Sequence, residues 1–279
     1  MSRTLFIYQD IKEPLRAEAI QRAMVVEGGY PVCALRHEEL SCLSPEGLRS
    51  LVQTHEAVLF LNVPVDGFPE KIRDLFSGPM VFIHSSGTSR APAQNIMAKH
   101  GKLGPLLWED IPPGLDKEDV ETVLLPPAAI ETHDPKNPFA GTIGFKNVVV
   151  LAPPTPHAVC RELQREYVSK PRRNFQLLVL NPAQDSPDFS SRIDNVTAWY
   201  VPSGNGETFW CFDHTTVLYA GGMVACAAPP NPLKKYVCRA SSLDELEDRL
   251  AEPSSRPKIV ANVRIAATRD FLNKLKTYI

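Results

Sequence analysis

Two residues able to move a proton stand just past buried-looking apolar runs. His84 closes Met80-Val81-Phe82-Ile83-His84, and Asp66 follows Ala57-Val58-Leu59-Phe60-Leu61 after a short loop. An imidazole or carboxylate within hydrogen-bond reach of a hydroxyl suits general-base work. Ser85, Ser86 and Thr88 could hydrogen-bond a polar substrate, and Arg90, Lys99, His100 and Lys102 form the densest cationic cluster of the first half. Further along, Gly221-Gly222-Met223 reads as a turn from a strand into a helix. Glycines there let a backbone approach an anion, and a helix N-terminus favours negative charge. Trp199 and Tyr200 alternate faces on one strand, so one belongs to the core and the other could stack on a flat ligand. Each feature has a structural alternative: a buried turn, a packed ring, a solvated surface.

Other chemistries are excluded. The cysteines, Cys33, Cys42, Cys160, Cys211, Cys226 and Cys238, form no CxxC pair and sit mostly in apolar stretches, which reads as reduced buried thiols. Paired zinc ligands at short spacing are missing, and His157 and His214 have no metal-ligand partners at suitable spacing. Ser85 to Arg90 lacks the glycine spacing and Gly-Lys-Ser/Thr end of a phosphate loop, and no Gly-x-Ser-x-Gly elbow occurs. A net charge of -2 rules out a protein that coats nucleic acid by bulk charge. With 43% hydrophobic and 22% charged residues the chain is of ordinary globular composition. No apolar run approaches the roughly 20 residues of a membrane span. The N-terminus runs straight into a strand, so no signal peptide is expected, and the location expected is cytoplasmic.

Positioning these residues falls to two successive strand-helix series. Thr4–Tyr8, Tyr30–Leu35, Ala57–Leu61 and Met80–His84 read as strands, with helices over 13–27, from Ser44-Pro45-Glu46, and over 70–76 between them. Val123-Leu124-Leu125 reads as the last strand of this half, and 128–146 as a linker. The second series has strands at 148–151, 175–180, 196–201 and 216–219, a fifth at 224–228 or 236–238, and a helix over 157–169. Lys170 to Asn174 reads as an exposed turn. Ser242-x-x-Glu245 is a capping box, and a terminal helix runs from Pro257. Alternating βαβ units argue for parallel sheets with right-handed crossovers. The fold class is therefore α/β, with two Rossmann-like domains facing a central cleft. The divisions expected are 1–140, 141–262, and a helix over 263–279 packing back on the first domain. The 26 prolines gather at strand exits, where stiff loops would form cleft walls.

The second half, roughly residues 120 to 279, resembles the donor-binding domain of the GT-B glycosyltransferases. Asn174 to Asn181, Asn195-Val196 through Val201-Pro202, Asp213 to Leu218, Ser241 to Leu246 and Ala266 to Leu275 follow that family's order of strands and helices, and Leu125-Pro126-Pro127 with Asp134-Pro135 is similar to its approach to the linker. The pair of glutamates that the retaining members carry is absent from Tyr219 to Cys226, and Ala152-Pro153-Pro154 stands where the family has glycine-arginine. The resemblance implies a sugar moved from a nucleoside-diphosphate sugar, UDP-linked by preference, to a hydroxyl. It implies donor contacts from Lys146, Pro153, Thr155, Trp199, Tyr200, Pro202, Gly221, Gly222 and Met223. Lys146, Arg172 or Arg173 would offer a cation to the leaving diphosphate. His84 or Asp66 would be the base, and Ser85 and Arg90 would touch the acceptor. No metal and no cofactor beyond the sugar nucleotide is implied. The acceptor would be a small molecule or, as in bacteriophage enzymes of this kind, a hydroxymethylated DNA base. A non-catalytic nucleotide-binding or scaffold relative of the same fold is the alternative.

Overall fold

In the computed structural model, residues 3–9, 14–85, 90–112, 115–128, 147–151, 155–170, 173–179, 197–204, 207–251 and 261–279 are described. The chain divides into two compact units, residues 1–128 with 268–279, and residues 129–267. Most of the expected linker lies outside the described residues.

The first unit is a parallel sheet of β1 (Thr4–Tyr8), β2 (Val32–Arg36), β3 (Ala57–Leu61), β4 (Met80–His84), β5 (Leu106–Trp108) and β6 (Glu121–Thr122), in the order β2-β1-β3-β4-β5-β6. The central strands β3 and β4 are buried along their whole length. Unbroken apolar runs are what a parallel sheet covered on both faces demands. Around it lie α1 (Pro14–Arg22), prolonged by a π-helical turn to Glu27, α2 (His37–Ser41), α3 (Pro45–Gln53), α4 (Phe68–Leu75) and α5 (Arg90–Lys99). Leu5, Ile7, Leu48, Val52, Phe60, Ile72 and Phe82 form one core. Within it the Phe60 and Phe82 rings stack at 4.6 Å.

One expectation fails in this unit. Val123–Leu125 is not a strand; its place is taken by β5 and β6, which are too short to leave a periodic signal. Val123 keeps one sheet bond, to the Trp108 carbonyl, before Pro126 and Pro127 end donation. Helix α2 was also missed. It is a single turn whose start is fixed by the Glu39 carboxylate accepting the Arg36 amide at 2.8 Å.

The second unit has a parallel sheet of β7 (Asn147–Leu151), β8 (Phe175–Val179), β9 (Ala198–Val201) and β12 (Val224–Cys226), ordered β12-β9-β7-β8. A small hairpin, β10 (Ser203–Gly204) with β11 (Glu207–Thr208), follows β9. The helices described are α6 (His157–Ser169), α7 (Phe212–Tyr219), α8 (Leu243–Ala251) and α9 (Ala261–Leu275), the last spanning the division between units. The expected strand over 216–219 is thus the end of helix α7. Its residues Thr215, Thr216, Val217 and Leu218 are all fully buried, polar and apolar alike, so no exposed face betrays a helical period. The capping box holds in altered form: Ser242 Oγ accepts the Glu245 amide, and Glu245 reaches back to Ser241 rather than Ser242. At the chain end, Tyr278 and Lys274 both engage the Glu121 carboxylate of β6.

Both sheets are open and doubly wound, the Rossmann-like pattern in each unit. Such sheets bind ligands beyond strand carboxyl ends where the order reverses. Those places are the β1/β3 exits in the first unit and the β7/β9 exits in the second.

Candidate functional site

At the carboxyl edge of the first unit, β3 ends on Asn62, whose φ of 53° is left-handed, a region asparagine tolerates better than branched residues. Its amide locks the next strand's exit: Oδ1 accepts the Ser85 amide at 2.7 Å and Nδ2 donates to Ser85 Oγ at 2.9 Å. The loop then reaches Asp66. One carboxylate oxygen accepts the Phe68 amide at 3.0 Å, serving the start of α4. The other lies 3.4 Å from His37 Nε2. His37 opens α2 immediately after β2 and packs edge-on against Phe68, with ring centroids 4.7 Å apart. The imidazole therefore has a carboxylate close to one nitrogen, without a hydrogen bond to it, and an aromatic ring packed against it. Among the described residues nothing hydrogen-bonds its Nδ1, so that nitrogen is the one able to take a proton from a hydroxyl.

His84 stands at the end of β4, as expected, but its ring is enclosed. It lies beside Trp108 at 5.3 Å, and its Nε2 is 3.1 Å from His100 Nδ1. Burial, reinforced by the neighbouring His100, pushes His84 down to about 3, so it is neutral under ordinary conditions. His100 is itself fully buried against Phe82 and held below the usual histidine range by burial. It is thus no surface cation, which leaves Lys99 and Lys102 exposed from the expected cluster. Arg90 begins α5, while Ser86 and Thr88 lie outside the described residues. Sequence reasoning also missed a buried ion pair past β5: Arg16 Nε lies 3.4 Å from a Glu109 oxygen.

At the carboxyl edge of the second unit, Thr155 and Pro156 lead from β7 into α6. Pro156 is the N-cap and supplies no side-chain cap, so the first amides of α6 have no side-chain acceptor there. Thr155 Oγ1 is enclosed without a hydrogen-bond partner among the described residues. Pro202 and exposed Ser203 follow β9. The combination of uncapped amides and a hydroxyl at a strand-order reversal suits an anion.

The remaining expected residues are arranged otherwise. Trp199 and Tyr200 are each 2% exposed. Trp199 packs towards α7, edge-on to His214, and Tyr200 packs into the cluster with Val149, Leu163 and Leu246. Burial raises the Tyr200 hydroxyl pKa. Gly221-Gly222-Met223 is a turn from helix to strand, reversing the expected order. Gly221, at φ 86°, donates to Leu218, Gly222 donates to Val217, and β12 begins after Met223. A helix C-terminus presents carbonyls and the negative dipole end, so this turn does not offer an anion the amides of a helix start. Arg173 is also corrected: in the turn expected to be exposed, it is 6% exposed and lies 2.9 Å from Asp244 and 3.2 Å from Glu247, over the Phe175 ring. Lys146, Pro153 and Arg172 lie outside the described residues. His214 caps its own helix, its Nδ1 accepting the Cys211 amide at 3.1 Å, and burial lowers it to about 3. Among the described residues no cluster of histidine, cysteine and acidic side chains could hold a metal, and no helix is long and apolar enough to cross a membrane.

No protein-family model matches the chain, and no curated protein matches it. Among solved structures it is similar to the glycotransferase of kitacinnamycin, at 9% identity and a TM-score of 0.41, with 99% of this chain and 98% of that one covered. It is similar to a Streptomyces glycosyltransferase complexed with thymidine diphosphate, at 12% identity and a TM-score of 0.40, covering 99% and 100%. It is also similar to MurG of Acinetobacter baumannii, at 12% identity and a TM-score of 0.43, covering 99% and 100%. At such identities no residue's role carries over.

Proposed function

We propose that this chain is a glycosyltransferase that moves a sugar from a nucleoside-diphosphate sugar, a UDP-sugar by preference, to a hydroxyl acceptor. The observation that carries the reading is the His37–Asp66 pair at the strand-order reversal of the first unit, 3.4 Å apart with the other imidazole nitrogen open. In this reaction the acceptor hydroxyl gives its proton to His37 Nδ1 as its oxygen bonds the anomeric carbon. The bond from that carbon to the diphosphate breaks, and the electron pair leaves with the nucleoside diphosphate. Asp66 holds the imidazole and offsets the positive charge it gains. Within the second unit, the opening amides of α6 and the Thr155 hydroxyl suit the phosphates of a nucleotide. A direct displacement of this kind inverts the anomeric centre.

The order of family-like segments through the second half supports the donor assignment. The acceptor is a small hydroxyl compound or a hydroxymethylated DNA base. Against a catalytic role stands one observation, the absence of acids over Tyr219 to Cys226, which favours a non-catalytic nucleotide-binding relative. One experiment separates these. The protein is incubated with a UDP-sugar panel and either small acceptors or hydroxymethylcytosine DNA, with products read by mass. Sugar on either acceptor supports transfer and identifies the acceptor. Saturable UDP binding with no product on any acceptor means the non-catalytic relative, and no nucleotide binding at all overturns both.

A further inference from the structure

The second unit carries an open cavity of about 490 Å³ lined by Ala227, Arg239, Ala240, Ser241, Glu245, Asp248 and Arg249. It lies where the chain leaves edge strand β12 and where α8 begins. Its floor is fixed by main-chain bonds: Cys226 donates to Cys238, Cys238 donates to Val224, and Ala240 donates to Cys226. Arg239 therefore projects from backbone pinned on both sides of its position.

Only some of the charges in the cavity neutralise one another. Glu245 is committed, its carboxylate taking the Ser241 amide at 2.7 Å and the Ser241 hydroxyl at 2.6 Å. Arg249, one helical turn further on, offsets that same carboxylate. Among the described residues neither the Arg239 guanidinium nor the Asp248 carboxylate enters an ion pair or hydrogen bond. A cation and an anion thus share one cavity without pairing, beside a Ser241 oxygen that keeps its lone pairs free to accept. Apart from two alanine methyls the lining is polar, so an apolar guest has nothing to bury against. A guanidinium fork matches a phosphoryl group, whereas a carboxylate and a hydroxyl oxygen accept hydrogen bonds from neighbouring alcohols. The volume falls within the range of small-molecule sites, roughly 300 to 1,000 Å³.

We propose that this cavity binds a phosphorylated polyol of hexose-phosphate size, with Arg239 on the phosphoryl oxygens and Asp248 and Ser241 on the hydroxyls. Its lining includes none of the residues named at the β7/β9 exits, and the proposal does not depend on the transferase reading. The test titrates the full chain with glucose 6-phosphate, glucose and inorganic phosphate, by calorimetry and by amide shifts in NMR. Glucose 6-phosphate is expected to bind more tightly than either fragment, moving the amides of Ala227, Ala240 and Ser241. R239Q is expected to weaken it roughly tenfold to hundredfold, the value of a charge-assisted contact. D248N is expected to remove the gain over inorganic phosphate while leaving phosphate binding intact. Both side chains are exposed, and circular dichroism checks that the variants keep their fold. No binding of glucose 6-phosphate at millimolar concentration, equal binding by R239Q, or shifts confined to other residues each overturns the proposal.

Discussion

Asp66 Oδ2 and His37 Nε2, 3.4 Å apart, join the exits of β3 and β2 although β1 lies between those strands in the sheet. The pair spans the exit of β1, where the strand order reverses. Asp66 also fixes its own loop by accepting the Phe68 amide, so the oxygen facing the imidazole is held from the other side by a helix start.

Kinetics with a UDP-sugar and its identified acceptor test this pair. H37Q is expected to lower kcat by about 10²- to 10⁴-fold, the usual worth of a general base. D66N, which leaves the imidazole in place but loosens it, is expected to lower kcat by less, with KM unchanged. UDP affinity should be unchanged in both. If H37Q keeps full kcat, the base is elsewhere.

Acid should destabilise both units. His84 in the first and His214 in the second are each held at about 3 by burial, against an ordinary 6.5. Between those values the unfolded chain binds protons that the folded chain does not. Stability therefore falls as pH falls through that window, by about 1.4 kcal/mol per pH unit for each histidine, and levels off below it. Urea denaturation from pH 7 to pH 4 measures this. In H84Q the slope in the first unit's transition should shrink, and an unchanged slope would refute the assignment.

Gly222 should not tolerate a side chain. A methyl group there would meet Val217 Cγ1 at 2.6 Å and the Val217 carbonyl oxygen at 3.1 Å. The backbone oxygen cannot retreat without breaking the bond that ends α7. G222A is expected to cost about 1–3 kcal/mol, as overpacking does, read as a lower urea midpoint at constant m. G67A makes the comparison, since the space there is open and only its φ of 86° opposes a side chain.

Arg173 should matter more for folding than for chemistry. R173M removes the cation shared by Asp244 and Glu247, leaving Asp244 to Lys170 and Glu247 without its cation at the start of α8. Thermal unfolding of the second unit should move to lower temperature while UDP affinity stays at the wild-type value. A loss of UDP binding with unchanged unfolding would return Arg173 to the role of diphosphate cation.

Much of the layout was legible from residue types alone. Apolar runs such as Ala57–Leu61 and Met80–His84 could only be strands buried on both faces, and their alternation with helical stretches required parallel sheets. The same logic put Asp66, His84 and Ser85 at strand exits, since a strand's end is visible where its apolar run stops. Local signals did not reach further. The segment 216–219 reads as a strand because α7 is fully buried from Thr215 to Leu218, and periodicity cannot distinguish an enclosed helix from a strand. Once α7 is a helix, Gly221 and Gly222 become its end rather than the start of another, which reverses the dipole they present. Pairing likewise depends on three dimensions. His37 looked unremarkable because its partner is 29 positions away in the chain (66 − 37), and His84 looked available because Trp108 and His100, which enclose it, come later. Composition and hydrophobic pattern determined which segments had to be buried together. Only the tertiary structure decided which polar side chains those segments brought within bonding distance, because such contacts form between residues whose separation in the sequence carries no periodic trace.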